Sequence, residues 1–219
     1  MIIGIDFSIN STAITIKNNS GDYQWFVFVP NYKQGKKCFK VHENLEHYEN
    51  SQYLTICSYE KETVCEKDNE QQIKMKNANH LSDAIVSVIV KEQERSQESI
   101  AQIYIEGYSF ASKGKAFIDL VTFNTFLKVK LIQNFGYCLS VIPPTTIKKK
   151  FTGKGNASKC EMTTQYLNET INNEKARIFQ TLLRNEIPKW QEKDYIIPKP
   201  IDDIIDSIAI LESFTNSVK

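Results

Sequence analysis

The sequence predicts an α/β fold built on a mixed sheet, and three observations carry that expectation. The chain opens on a hairpin signal: β-branched runs at residues 2–5 and 13–16 flank a polar turn at 8–12. Further on, strand-like alternation and helix-like spacing take turns along the chain. Read in order, the segments run β-β-β-α-β-α-β-α-α, which joins antiparallel neighbours at the start to crossover-linked strands later.

In the first strand Ile3 and Ile5 share one face and Ile2 and Gly4 the other, so both faces are apolar and the strand is central. Asp6 stands where it ends. A charge beside a buried strand costs several kcal/mol unless a cation or metal compensates it; the plain alternative is that Asp6 caps the turn through backbone N–H groups. Residues 23–29 form a strand stopped by Pro30 and Asn31. Residues 32–79 turn polar and irregular apart from a strand at 53–59, and read as an insertion on a hairpin with too few apolar residues for its own core.

Leu81, Ala84, Ile85, Val88 and Ile89 recur at helical spacing, with Asn79 as the cap and His80 on the surface at the helix start. Residues 100–106 alternate as a strand that ends in a carboxylate, Glu106. Phe117, Leu120, Val121, Asn124 and Leu127 mark a helix closed by Gly136, with Phe117 as core. A strand at 137–142 is halted by Pro143 and Pro144, and a basic loop follows. Ser158-Lys159-Cys160-Glu161 fits a capping box and starts a helix carrying Met162, Tyr166 and Leu167 on one side. Residues 170–200 are polar and partly helical. Ile201, Ile204, Ile205, Ile208 and Leu211 form one stripe, so residues 202–214 are an amphipathic helix packed on the sheet.

At 219 residues the chain fits one domain, with insertions at about 32–79 and 168–200. Its 41% hydrophobic and 24% charged residues are ordinary for a soluble protein. No run reaches membrane-spanning length and no leader is evident, which points to the cytoplasm, or to a DNA-replication site in a host cell if the source is viral. Cys38, Cys57, Cys65, Cys138 and Cys160 are scattered without C-x-x-C, which favours reduced thiols. His42 and His47, five apart, share no helical face and fit no metal motif. Net charge is only +1, yet Lys148, Lys149, Lys150, Lys154 and Lys159 fall in residues 145–160 with no acid among them.

Acids therefore end separate elements: Asp6, Glu106, and Asp203 with Asp206 on the last helix. Residues three apart lie on one helical face, and Asp202, four from Asp206, can stand in for Asp203. First-turn acids also suit the helix dipole, which is the plain account of Asp202 and Asp203. Asp206, between Ile205 and Ile208, has no such account. Converging carboxylates repel and raise one another's pKa unless cations neutralise them. A pair of divalent ions about 3.5–4 Å apart is the usual answer at a phosphodiester, and oxygen-only donors select Mg²⁺ or Mn²⁺.

With these residues in view, the sequence resembles the RuvC family of Holliday-junction resolvases in the ribonuclease H-like superfamily. The matching pieces are Gly4-Ile5-Asp6; Ile105-Glu106-Gly107-Tyr108-Ser109-Phe110; the lysine-glycine stretch 148–159; and Asp203-Ile204-Ile205-Asp206-Ser207-Ile208-Ala209, in the family's order. The resemblance implies a five-stranded ribonuclease H-like sheet and a homodimeric endonuclease of DNA recombination and repair. It would use Mg²⁺, with Mn²⁺ as substitute, and cut four-way DNA junctions. Asp6, Glu106, Asp203 and Asp206 would hold the metals, Lys159 would face the scissile phosphate and Lys148 a neighbouring one. Phe110 would stack at the opened junction, worth ~1–3 kcal/mol per base. Lys113, Lys149 and Lys154 join as DNA-backbone contacts on charge. Phe7-Ser8 stands where bacterial members carry Pro-Gly, which marks a divergent member, phage or viral. Other superfamily nucleases share the acids but lack the lysine-glycine loop. A sugar-kinase-like nucleotide binder would need a second domain, and a junction binder with a dead site would not keep all four acids.

Overall fold

Among the described residues six strands make one mixed sheet: β1 (Ile2–Asp6), β2 (Thr12–Lys17), β3 (Tyr23–Pro30), β4 (Leu54–Tyr59), β5 (Gln102–Glu106) and β6 (Leu139–Ile142), in the order β4-β3-β2-β1-β5-β6. This computed structural model describes residues 1–31, 54–64, 69–108, 114–169, 173–191, 197 and 199–215. β1 is central, as the apolar faces of its sequence require. It pairs antiparallel with β2 (Ile5 opposite Ile14) and parallel with β5 (Ile5 opposite Ile105). β2 and β3 are antiparallel, while β3–β4 and β5–β6 are parallel. Every strand but β2 therefore ends on the same edge of the sheet.

The sheet has six strands rather than the expected five because β4 pairs along the whole of β3's second half. Its strand character was legible; that it extends the main sheet was not, since parallel pairing is a long-range contact that leaves no local pattern.

Among the described residues six helices cover the faces: α1 (Glu70–Ser96), α2 (Lys115–Phe135), α3 (Pro144–Thr152), α4 (Lys159–Asn168), α5 (Glu174–Gln191) and α6 (Ile201–Thr215). One face, with Ile3, Ile5, Ile14, Phe28, Ile103 and Ile105, is closed by α1 and α2. The other, with Ala13, Trp25, Val27 and Tyr104, is closed by α3 to α6.

Three expectations need correction. The cap of α1 is Asn69, whose side-chain oxygen accepts from the N–H groups of Gln71 and Gln72; Asn79 and His80 lie inside the helix. His80 is half-buried with Nδ1 3.1 Å from the Glu60 carbonyl. The early turns looked like loop because a polar residue, Asn77, occupies their buried face. It is satisfied by the Glu62 backbone, accepting its N–H at 2.7 Å and donating to its carbonyl at 2.9 Å. Next, the basic loop begins as α3: Pro144 is tolerated in the first turn, Ile147 and Phe151 are buried, and Gly153 stops the helix in the left-handed region at φ 82°. Last, α6 buries every residue from Ile201 to Leu211 except half-buried Asp206, far more than one stripe. The reason is that it lies on β1 and β2 beneath α3 and α4.

That depth depends on Gly4. A Cβ there would stand 2.4 Å from the Ser207 carbonyl oxygen and 2.9 Å from Leu211 Cβ. A polar seam then sets the register of α6 on β2: Thr15 and Ser207 share a buried hydroxyl pair at 2.7 Å, and Lys17 and Tyr23 both bond Glu212, the lysine at 3.0 Å.

Candidate active site

Strand alternation aims Gly4 and Asp6 at α6, since Ile3 and Ile5 face the other core. The register that sets Ile5 beside Ile105 carries Asp6 and Glu106, each the last residue of its strand, side by side. There each carboxyl shifts the titration of the other. Asp6 is only 8% exposed. Burial above all, then the charges of Asp206, Asp203 and Glu106, raise its pKa well above the usual carboxylate range, with Lys159 opposing. Burial, and next Asp206, push Glu106 up to about 7 against the pull of Asp6, Lys159 and Lys148.

The start of α6 brings the other acids. Asp203 is buried; its Oδ2 accepts from Ser11 Oγ at 2.6 Å and its Oδ1 bonds Lys199 Nζ. Burial and the Asp202 charge push it up to about 6, while Lys199 and Ser11 pull the other way. Burial likewise raises Asp206, against Lys159. Asp202 is buried too, with Oδ1 accepting the Asp203 N–H at 3.0 Å and Oδ2 accepting from Lys159 Nζ at 2.8 Å. Lys159 Nζ also bonds Asp206 Oδ2 at 2.9 Å. Burial works against the Lys159 ammonium, but Asp206 and Asp202 together hold its pKa well above the usual lysine range.

Lys159 is the first residue of α4, and the capping box read from the sequence fixes it there. Ser158 Oγ accepts the Glu161 N–H at 3.2 Å and Glu161 Oε2 accepts the Ser158 N–H at 2.9 Å. Lys148 donates to the Ala157 carbonyl at 2.9 Å and its charge reaches Glu106 and Asp206. Lys149 is exposed on α3, Lys150 lies 4.0 Å from the centre of the Phe214 ring, and Lys154 pairs with Glu161 at 2.6 Å. Phe110 and Lys113 lie outside the described residues, as do His42 and His47. Phe117 is half-buried, edge-on to Tyr108 with ring centres 5.7 Å apart.

The sequence thus brought five residues to one place: Asp6, Glu106, Asp203, Asp206 and Lys159, with Lys148 beside them. It missed Ser11 and Lys199. Ser11 is one hydroxyl in a polar turn, and the only local hint for Lys199 is its position four before Asp203.

The donor set is all carboxylate oxygen, drawn from β1, β5 and α6, and burial first, then neighbouring acids, raises its pKa values. That chemistry fits hard divalent cations such as Mg²⁺ or Mn²⁺. Among the described residues no three His, Cys, Asp or Glu side chains stand arranged to hold an ion as they are; two lysine ammoniums lie among the acids.

With β4 set aside, the order β3-β2-β1-β5-β6, an antiparallel first half and a parallel second half, agrees with the arrangement the sequence resemblance implies, and Asp6 and Glu106 sit at its strand ends. No protein-family model matches the sequence, and no curated protein does. Among solved structures the chain is similar to a Thermus thermophilus RuvC structure at 13% identity, covering 99% of this chain and 95% of that one with a TM-score of 0.48. It is similar to T. thermophilus RuvC in complex with a Holliday junction substrate at 12% identity, 98% and 92% coverage and a TM-score of 0.47. A third similar structure is the yeast mitochondrial Holliday junction resolvase Ydc2, at 14% identity, 97% and 76% coverage and a TM-score of 0.46. No described helix is long and apolar enough to cross a membrane.

Proposed function

We infer that the chain is a Mg²⁺-dependent endonuclease that resolves four-way DNA junctions by hydrolysing a phosphodiester in each of two strands. One observation carries the reading: acids from β1, β5 and α6, remote in sequence, meet around the ammonium of a lysine held by a helix cap. A stability role explains this poorly, because buried carboxylates that repel one another cost folding energy. Asp6, Glu106, Asp203 and Asp206 would hold the ions. Bound there, divalent cations supply activation of the attacking water and stabilisation of the leaving oxygen.

The chain's own residues do the rest. Ser11 and Lys199 fix the orientation of Asp203. Lys159, half-exposed at the rim, can reach a phosphate oxygen and stabilise the charge that grows in the transition state. Lys148 and Lys149 on α3 offer positive charge to flanking phosphates. The resemblance of the lysine-glycine stretch at 148–159 favours branched DNA over other substrates of ribonuclease H-like enzymes, and a homodimer would supply one site per cut strand.

The test is to incubate the protein with a synthetic four-way junction, a linear duplex and an RNA–DNA hybrid, with and without Mg²⁺. Paired, Mg²⁺-dependent nicks confined to the junction are expected. Cutting of the hybrid alone would replace the substrate assignment, and no cutting of any substrate would overturn the nuclease reading.

A further inference from the structure

We propose that Asp202 is not a metal ligand but the positioning residue that keeps the Lys159 ammonium aimed at the phosphate after Asp206 has turned to a cation. This rests on the nuclease reading above and assigns a role to an acid which that reading leaves unused. The two adjacent acids have separate surroundings. Asp203 bonds Ser11 and Lys199, and its charge reaches Asp6 along with those of Asp206 and Glu106. Asp202 is committed on both oxygens, Oδ1 to the Asp203 N–H at 3.0 Å and Oδ2 to Lys159 at 2.8 Å, and is 7% exposed. A carboxylate pinned by its own backbone neighbour and buried has little freedom to swing toward Asp6.

Lys159 needs such a partner. Its ammonium bridges Asp202 and Asp206, four apart on one face of α6, at nearly equal distances of 2.8 and 2.9 Å. Asp206 bonds Lys159, and its charge also reaches Asp6 and Glu106. When a cation claims Asp206, the lysine loses half its hold. A four-carbon ammonium without a second acceptor would sample many rotamers. Asp202 remains, and because α4 is fixed at its start by the Ser158–Glu161 capping box, the Lys159 stem leaves from a fixed point. Held at both ends, the ammonium keeps its direction at the rim. Lys199 Nζ, 3.7 Å from the same Oδ2, places a second positive charge beside Asp202.

The experiment compares wild type, Asp202→Asn, Asp203→Asn, Lys159→Gln and the Asp202→Asn/Lys159→Gln pair. Asparagine keeps the Oδ1 acceptor for the Asp203 N–H and removes the charge. In Mn²⁺ titration calorimetry, Asp202→Asn is expected to keep affinity within about threefold of wild type while Asp203→Asn loses at least tenfold. With the junction substrate, Asp202→Asn should lower kcat about 10–100-fold at nearly constant KM, and should add no more than about twofold in the Lys159→Gln background. A third readout needs no cleavage: trace acylation of Mn²⁺-loaded wild type and Asp202→Asn, quantified by peptide mass spectrometry against exposed Lys149. Lys159 should stay protected when Mn²⁺ binds and lose that protection in Asp202→Asn. Loss of Mn²⁺ affinity in Asp202→Asn equal to that in Asp203→Asn, additive effects with Lys159→Gln, or exposure of Lys159 in wild type on adding Mn²⁺ would each overturn the assignment. If wild type cuts no DNA but the acylation pattern holds, the nuclease reading fails while the hold of Asp202 on Lys159 stands.

Discussion

Gly4→Ala is the most demanding test of how the site is assembled, because the substitution lies outside the acid cluster. The added methyl carbon would meet the Ser207 carbonyl oxygen at 2.4 Å, about 1 Å short of ordinary contact, and Leu211 Cβ and N at 2.9 Å. Two of these three neighbours are backbone atoms, so no rotamer change relieves the clash and α6 must move outward by most of that 1 Å. Gly4 has no positive φ, so alanine meets no backbone strain there. Alanine would even gain about 0.5–1 kcal/mol from a stiffer unfolded chain. Overpacking of this kind costs about 1–3 kcal/mol or more, so a net loss is expected. The displaced helix carries Asp203 and Asp206 away from Asp6 and Glu106, and a shift near 1 Å can lower a rate about 100-fold. Urea denaturation should show a lower midpoint at unchanged slope, and junction cleavage should fall far more than junction binding. Wild-type stability together with wild-type cleavage would refute the idea that Gly4 sets the distance between sheet and helix.

Other outcomes follow from the same geometry. Asp6→Asn and Glu106→Gln should each abolish Mg²⁺-dependent cutting while leaving junction affinity, measured by gel shift in Ca²⁺, within a few fold; retained cutting would remove that acid from the catalytic set. Glu106 is raised from 4.5 to about 7 and Asp203 from 3.8 to about 6, so the folded metal-free protein binds more protons than the unfolded chain across that window. Its stability in EDTA should therefore fall as pH rises from about 4 to 7 and level off above, each tenfold difference in proton affinity between folded and unfolded states being worth roughly 1.4 kcal/mol. Mg²⁺ should raise the melting temperature more at pH 8 than at pH 5, and an equal rise at both would contradict the crowding of charge. Ser158→Ala removes the cap and should cost about 1 kcal/mol. Because that cap fixes the start of α4, kcat should fall as well, and a loss of stability alone would free Lys159 from any dependence on it.

Much of this was readable from residues alone. The central place of β1, the carboxylates closing β1 and β5, the placement of Asp203 and Asp206 in one helix and the cap before Lys159 are local facts, set by alternation, helical spacing and hydrogen-bond chemistry within a few residues. Where the reading failed, distant contacts had overruled local pattern. Asn77 sits in a buried face because the Glu62 backbone satisfies it, so α1 starts at Asn69. The basic stretch winds into α3 because Ile147 and Phe151 find a core to enter. β4 joins the sheet because β3 offers it an edge.

The sequence determined which side chains end which elements. Only the tertiary structure decided that Asp202 turns to Lys159 while Asp203 turns to Ser11 and Lys199. Spacing along a helix fixes a face to within one residue, whereas the partner across that face is set by the register of α6 on β1 and β2. That register follows from the missing side chain at Gly4 and the Thr15–Ser207 bond, contacts between residues at opposite ends of the chain.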